Sequence, residues 1–455
     1  MPKKEKSMIG LEIHGYLNTK EKLFCKCKNF HDMKQIKPNT NIDPICTGQP
    51  GAKPQLPNKS AINKLIQIGL MLNCKISEKF SFQRKHYSWP DMPTGYQKTV
   101  SGASSSHVAE NGKFLGIRIR EVHLEEDPAA WNPEKGTVDY NRAGAPLVEI
   151  VTEPDFESSE QVETWLRQLI LTLSYIKALD KDAGIKSDVN VNLKGQTERT
   201  EIKNVNSVTE IIKSIDSELK RHEKEKPIIQ ETRRWNSKKN ITELMRTKEQ
   251  AADYRFIPDP DLPLIKITKQ RIKEIDKDLP EAPHEKLERI IKKHKLDKKD
   301  AEVLTQNLEI VEFFEKIIEK IDPNFALPWI TVELLGVLNH HKKTLDEVDI
   351  KYEHTVELLQ LLQENKITPL KTKEILRKFV PESFSPKKEN IQIISDDKAL
   401  LKIIKQIIKD NKKSAQDYKS GNKQAINFLI GQVMKETNKS ADYQIVRKIL
   451  EKELK

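Results

Sequence analysis

Glu12 and His14 stand two residues apart in the run Ile9-Gly10-Leu11-Glu12-Ile13-His14. On a strand, residues i and i+2 share a face, so this spacing sets a carboxylate beside an imidazole, a pair suited to a divalent cation. A solvent-facing strand edge gives the same pattern. His123-Leu124-Glu125-Glu126-Asp127 packs three acids together. Mutual repulsion makes such a cluster costly unless it is solvated, protonated or neutralised, and oxygen-rich clusters favour Mg²⁺ or Ca²⁺. A solvated acidic loop is the competing reading. Glu149 is a single acid inside the apolar, β-branched run Val148-Glu149-Ile150-Val151, where a carboxylate seldom faces a dry core unpaired. Asp188, Asn190 and Asn192 alternate with apolar residues, as do Glu201 and Lys203, and a lysine beside carboxylates suits the positioning of phosphate. An ordinary polar sheet face fits the asparagines equally well. Cys25 and Cys27, with Cys46 nearby, have the chemistry of a zinc site. Its fourth ligand would come from Asp43, His31 or Cys74, and scattered buried cysteines are the alternative. The sequence has no Walker loop, no G-x-G-x-x-G and no serine-hydrolase elbow, so any ATP site is of another type.

The elements that must position these groups are legible as periodicities. Residues 188–193 and 200–205 alternate as two strands joined by a turn around Gly195, a hairpin. Val162, Trp165, Leu166, Leu169, Ile170, Leu173 and Ile176 recur at three and four, which predicts a helix over 160–176 with Ser158 and Gln161 as a capping box. A second helix is predicted over 208–221, capped by Ser207 with Glu210 at the reciprocal position. Strands interleaved with helices, without a regular βαβ rhythm, indicate an α+β fold. Beyond about residue 265 the chain reads as nearly all helix punctuated by prolines, ending in amphipathic helices over 425–435 and 443–454, with 380–388 as a boundary between two helical modules.

The bulk properties set limits. A chain of 455 residues corresponds to about two to four domains. With 36% hydrophobic and 32% charged residues it builds real cores under an ionic surface. Its formal net charge of +11 favours a polyanionic partner, RNA first, although a lysine-rich genome or a thermophile's ionic surface gives the same balance. No stretch of about 18 apolar residues predicts a membrane span, and no apolar segment follows the charged first residues as a secretion signal would. The expected location is cytoplasmic, where clustered cysteines point to metal rather than to disulfides.

The same residues carry a resemblance. Ile9 to His14 resembles the IGLEVH opening of the GatB/GatE family, the transamidating component of aspartyl/glutamyl-tRNA amidotransferases. Lys22-Leu23-Phe24-Cys25-Lys26-Cys27 resembles its KLFCxC segment, Trp89-Pro90-Asp91-Met92-Pro93 its YPDLP, and His123 to Asp127 its HxEED. Asn141-Arg142-Ala143-Gly144-Ala145-Pro146-Leu147-Val148-Glu149-Ile150-Val151 is similar to its NRxGxPLxEIV, and Thr200-Glu201-Ile202-Lys203-Asn204 to its TEIKN. Asp253-Tyr254-Arg255-Phe256 and Phe428-Leu429-Ile430-Gly431-Gln432 resemble blocks near its middle and end. The ordered blocks run over nearly the whole chain.

The resemblance implies a protein that uses ATP and Mg²⁺ to phosphorylate the side-chain carboxylate of misacylated Asp-tRNA(Asn) or Glu-tRNA(Gln). Ammonia released from glutamine by an amidase partner (GatA) then amidates it, within a heterotrimer completed by a small third component (GatC). It places metal ligands at Glu12, His14, Glu125, Glu126, Glu149, Asp188 and Glu201, with His14, Glu126 and Glu149 on one ion and Glu12, Glu125, Asp188 and Glu201 on a second. Glu126, Glu149 and His14 would then be catalytic, and Lys203 and Arg142 would stabilise phosphate. The family's zinc pattern, CxC followed by CxxC, has Asp43 in place of its third cysteine, which leaves Cys25, Cys27, Asp43 and Cys46 as the Zn²⁺ set. The implied architecture is an α+β catalytic cradle over 1–285, a helical linker over 286–382 and a small helical tail over 383–455 that contacts tRNA. Two rival readings are a non-catalytic RNA-binding scaffold, which would have lost the acids, and a zinc-stabilised assembly protein, which would have a complete four-thiolate site.

Overall fold

A computed structural model describes all residues except 1–5, 31–35, 88, 102–106, 181–183, 248–254, 389–396, 438, 440 and 455; the side chains of 388 and 397–399 are likewise outside it. The fold is α+β, as the alternations predict. Contacts divide the chain into two compact units, Met1–Pro283 and His284–Lys455.

The first unit is built on a 12-stranded sheet. In chain order its strands are β1 (Ser7–Tyr16), β2 (Lys75–Ile76), β3 (Gln83–His86), β4 (Tyr96–Thr99), β5 (Ala109–Phe114), β6 (Ile117–Glu126), β7 (Pro146–Thr152), β8 (Ile185–Leu193), β9 (Thr200–Val205), β10 (Glu231–Asn236), β11 (Ile241–Thr247) and β12 (Phe256–Pro258). Their spatial order is β11-β10-β9-β8-β1-β7-β6-β4-β3-β12, with β5 beside β6 and β2 beside β5. The first strand therefore lies near the middle, antiparallel to β7 on one side and to β8 on the other. The predicted hairpin is β8 and β9. Only β9 and β10 run parallel among the described strands, joined by a crossover helix.

Alternation gives the sheet two unlike faces. Ile9, Leu11 and Ile13 of β1, Val122 and Leu124 of β6, Val148 and Ile150 of β7, and Val189 and Val191 of β8 point into one apolar core. Helices α1 (Lys59–Met71), α2 (Ser159–Tyr175) and α3 (Val208–Glu225) belong to that core. The residues between them on each strand, including Glu12, His14, Glu149 and Asp188, are turned to the opposite face.

Ser158 and Ser207 cap α2 and α3 as predicted, accepting from the backbone N–H of Gln161 and Glu210. The reciprocal halves of both boxes go elsewhere. Gln161 Oε1 accepts from the Glu157 N–H, and Glu210 accepts from the Trp235 indole and from Lys213. Tertiary partners outcompete the local bond in the second case.

On α3, Glu218 is fully buried yet charged, taking hydrogen bonds from Arg221 at 2.5 Å and Thr242 at 2.6 Å, with His222 at 3.2 Å. Burial pushes its carboxyl up, but the bonds from His222, Arg221 and Thr242 prevail and hold it at about 2. A carboxyl depressed by folding contributes stability at pH above its unfolded value, and that stability drains as pH falls through the folded value. The stability difference between wild type and Glu218→Gln is therefore expected to shrink by about 3 kcal/mol between roughly pH 5.5 and pH 2. Urea unfolding across that range measures it; a difference that does not change with pH would remove the linkage.

The second unit is helical throughout its described residues apart from one isolated bridge, Asp349 to Glu382. Its apolar side chains form one cluster from Ile290 to Phe379 and another from Leu400 to Leu454. The final helices, Ala425–Glu436 and Tyr443–Glu453, fall where the periodicity places them. No helix among the described residues is long and apolar enough to cross a membrane.

Candidate active site on the sheet face opposite the core

The central strands bring distant acids into register. His14 of β1 lies opposite Glu149 of β7, and Glu149 lies opposite His123 of β6. On the other side of β1, Glu12 faces Asp188, and Asn190 faces Glu201 of β9. Two clusters result, His14–Glu125–Glu149 and Glu12–Asp188–Glu201, each with ligand atoms within 4.8 Å of one another. They adjoin along β1, because Glu12 and His14 are two residues apart on one face.

In the first cluster His14 Nδ1 is 3.8 Å from both Glu125 Oε1 and Glu149 Oε2. The fully enclosed His123 donates through Nε2 to Glu149 at 3.1 Å. Burial opposes charge on His123, but Glu149 and then Glu121 outweigh it and raise the imidazole to about 10. Burial likewise pushes Glu149 up, and His123 overcomes this and holds it at about 2. Burial and then Glu149 raise Glu125, against the opposing charges of His14, His123 and Lys85.

In the second cluster Lys203 Nζ lies 2.5 Å from both Asp188 and Glu201. Burial opposes its charge, but Asp188 and Glu201 more than compensate and keep the ammonium protonated. A bulge in the β8–β9 pairing lets the Asn204 N–H reach Asp188 Oδ1 at 2.7 Å, with Asn204 in the left-handed region at φ 55°. Asp188 is thus held from both oxygens. Glu12 accepts from Asn190 Nδ2 at 3.1 Å and is raised by burial and then by Glu149.

Donor chemistry fits divalent cations at both places. Carboxylate oxygens with one imidazole, and carboxylate oxygens alone, are sets that Mg²⁺ or Mn²⁺ accepts. The raised carboxyls, Glu12 and Glu125, are those whose charge a cation would stabilise.

The structure groups the acids differently from the split expected from the sequence. Glu125, not Glu126, joins His14 and Glu149, because alternation along β6 turns the two glutamates to opposite faces. Glu126 instead binds the buried Lys98, whose Nζ is 3.0 Å from Oε1. The second cluster accordingly keeps Glu12, Asp188 and Glu201 without Glu125. Arg142 lies outside both clusters. Its guanidinium binds Asp127 at 2.7 Å and donates to the carbonyls of Pro128 and Ala129, while Tyr16 donates to the same aspartate at 2.7 Å. His123 carries no assignment from the sequence, although period-two counting back from Glu125 places it on the acid face.

Cys25, Cys27, Asp43 and Cys46 converge in a separate site, with one ligand atom of each within 4.8 Å of the others. Asp43 Oδ1 accepts from the backbone N–H groups of Ile45 and Cys46 at 2.9 Å, which folds the turn that returns Cys46 to the pair. The hydrogen bond from Cys25, followed by that from the Asp43 backbone and the charge of Lys22, brings the Cys46 thiol down to about 6 against its burial. Burial and then Cys46 push Cys27 up to about 11. Three sulfurs and a carboxylate match the donors zinc takes. Of the other fourth-ligand candidates, Cys74 is packed in the sheet core and His31 lies outside the described residues.

The comparisons with known proteins agree in extent with this layout. The family model "GatB/GatE catalytic domain" matches residues 7–273, and "GatB domain" matches residues 312–454. The chain is 41% identical over 474 residues to the B component of the aspartyl/glutamyl-tRNA(Asn/Gln) amidotransferase of Methanocaldococcus jannaschii, covering 99% of this chain and 98% of that protein. It is also 41% identical to the component of the same name from Methanothermobacter thermautotrophicus, over 95% of this chain and 97% of that protein. The protein is thus one subunit of a ligase-type tRNA amidotransferase. The chain belongs to the GatB/GatE family.

Proposed function

We propose that this chain activates the side-chain carboxylate of misacylated Asp-tRNA(Asn), Glu-tRNA(Gln) or both with ATP, and that ammonia from a glutamine-hydrolysing partner then forms the amide. The single observation that supports it best is the pair of adjoining carboxylate clusters, with Lys203 between two acids, on the face of the sheet opposite the core.

A carboxylate is a poor electrophile. Transfer of the γ-phosphoryl group to its oxygen, with ADP leaving, gives it phosphate as a leaving group. Ammonia then attacks the acyl carbon, phosphate departs, and the nitrogen gives up a proton. Divalent cations held by His14, Glu125 and Glu149, and by Glu12, Asp188 and Glu201, would neutralise phosphate charge. The chain's own groups set that stage. Lys203, fixed by Asp188 and Glu201, keeps a positive charge where phosphate arrives. His123 holds Glu149 ionised and oriented. Asp127, Arg142 and Tyr16 brace the loop that follows β6. The net charge of +11 suits tRNA, which we assign to the helical half with its tail over 383–455. The partners in this reading are the amidase GatA and the small protein GatC.

Reconstitution with those partners tests the reading. ATP consumption should rise on adding one misacylated tRNA, and the amide should appear only with ATP and glutamine present. Formation of the amide without ATP would sink it.

We further propose that Cys25, Cys27, Asp43 and Cys46 hold a structural zinc ion. Metal analysis of protein grown with zinc should give about one ion per chain, the number a single tetrahedral site takes. Cys46→Ser should lose it and unfold at a lower temperature; equal metal content in the two proteins would refute the site.

A further inference from the structure

Beside the second cluster, at its Glu201 end, the sheet carries a recess of about 200 Å³ lined by Arg199, Glu201, Gln230, Glu231, Thr232 and Arg246. Strand register builds it. Arg199 immediately precedes β9, two residues before Glu201, and lines the recess with it. Glu201 pairs with Thr232 of β10, and Thr232 pairs with Arg246 of β11, so the row continues outward from the acid cluster. Thr232 Oγ1 donates to Glu201 Oε2 at 3.2 Å, which ties the recess directly to a cluster acid.

Charge in this recess is unbalanced. Both of its acids are already engaged by other cations. Glu231 binds Arg221 at 2.7 Å and Arg233 at 3.1 Å, and Glu201 binds Lys203 at 2.5 Å. Arg199 and Arg246 have neither an ion pair nor a side-chain hydrogen bond among the described residues. Two guanidinium groups with open donor forks therefore line one hollow adjoining a cluster suited to divalent cations. That is a receptor for phosphate oxygens, since a guanidinium presents paired N–H donors at the spacing those oxygens accept.

We propose that Arg199 and Arg246 clamp the non-transferred phosphates of the nucleotide, with its γ-phosphate directed inward to Lys203 and the acid clusters. The inference rests on the ATP reading given above. The recess is contiguous with the cluster through Glu201, so a nucleotide whose inner phosphates sit there can extend its terminal phosphate to the acids. A tRNA backbone phosphate offers the same oxygens, and the test separates the two sources.

In the reconstituted complex, amidation kinetics are measured for wild type, Arg199→Ala, Arg246→Ala and Arg246→Lys, varying ATP and misacylated tRNA in turn. Loss of either arginine is expected to raise the KM for ATP about ten- to hundred-fold, the scale of a charge-assisted pair. The KM for tRNA should stay within about twofold, and Arg246→Lys should recover part of the loss by keeping the charge without the fork. Equilibrium binding of a non-hydrolysable ATP analogue should weaken in parallel, which guards against variants that are merely misfolded. An unchanged KM for ATP in folded variants overturns the clamp. So does a raised KM for tRNA with a shallower salt dependence, which would assign the recess to RNA phosphates. If wild type forms amide without consuming ATP, the parent reading fails instead.

Discussion

Replacing Glu125 with Gln is expected to lower ATP-dependent amidation by about a thousand-fold, the scale of removing one group that stabilises transferring charge. Glu125 shares the first cluster with His14 and Glu149, within 4.8 Å of both. The substitution keeps shape and removes one negative charge. Folding should not suffer, because burial and Glu149 already disfavour that charge and raise the Glu125 carboxyl. The midpoint of urea unfolding is therefore expected to stay level or to rise, while the turnover number collapses. Glu12→Gln should behave alike, for its carboxyl is raised by the same two causes. Turnover of a folded Glu125→Gln complex within about tenfold of wild type would mean that charge at this cluster is not what accelerates the reaction. The combination of lost rate and kept stability separates a functional acid from a structural one, since a structural acid shows the reverse.

How much of this site could be read from residues alone follows from the range of the interactions that build it. Alternation is a local property, and it correctly places Glu12 with His14 and Glu201 with Lys203 on shared strand faces. It also makes β8 and β9 a hairpin, because the turn between them is short. Applied strictly to residues 123–127, the same rule separates Glu125 from Glu126. Reading the contiguous acids as one cluster obscures that, and the backbone imposes it. Strand order leaves no local trace. β1 takes its neighbours from Leu147 to Val151 and from Ile185 to Leu193, so the meeting of Glu12 with Asp188 depends on pairings across more than half of the first unit. Arg142 illustrates the same limit. The resemblance gives it to phosphate, whereas Asp127 and two carbonyls occupy its guanidinium. Asp43 is legible as a candidate ligand by position, whereas its closing of the turn at Ile45 and Cys46 is visible only in the folded loop. The arginine-lined recess beside Glu201 arises from three strands in register, and no motif marks it.

Glu126→Ala is expected to cost about 3–5 kcal/mol of folding stability, the usual penalty for leaving one member of a buried ion pair alone. Lys98 is 4% exposed, and Glu126 takes its Nζ at 3.0 and 3.2 Å and its backbone N–H at 2.8 Å. The faces of Phe24 and Tyr96, 5.1 and 5.4 Å from the ammonium, soften the loss without replacing a carboxylate. Glu126→Gln retains an acceptor for both donors and should cost less. Lys98→Met combined with Glu126→Leu removes both charges and should recover most of the stability, as apolar replacements of buried pairs do. At a temperature where Glu126→Ala remains folded, its turnover should lie within about tenfold of wild type, because the side chain points away from the acid clusters and acts only through the position of β6. Urea unfolding and amidation rates on the same preparations read both quantities. Loss of turnover with stability intact would return Glu126 to the active face, as the contiguous run of acids first suggests. It would also require the end of β6 to twist so that Lys98 gives up its carboxylate whenever substrate is bound.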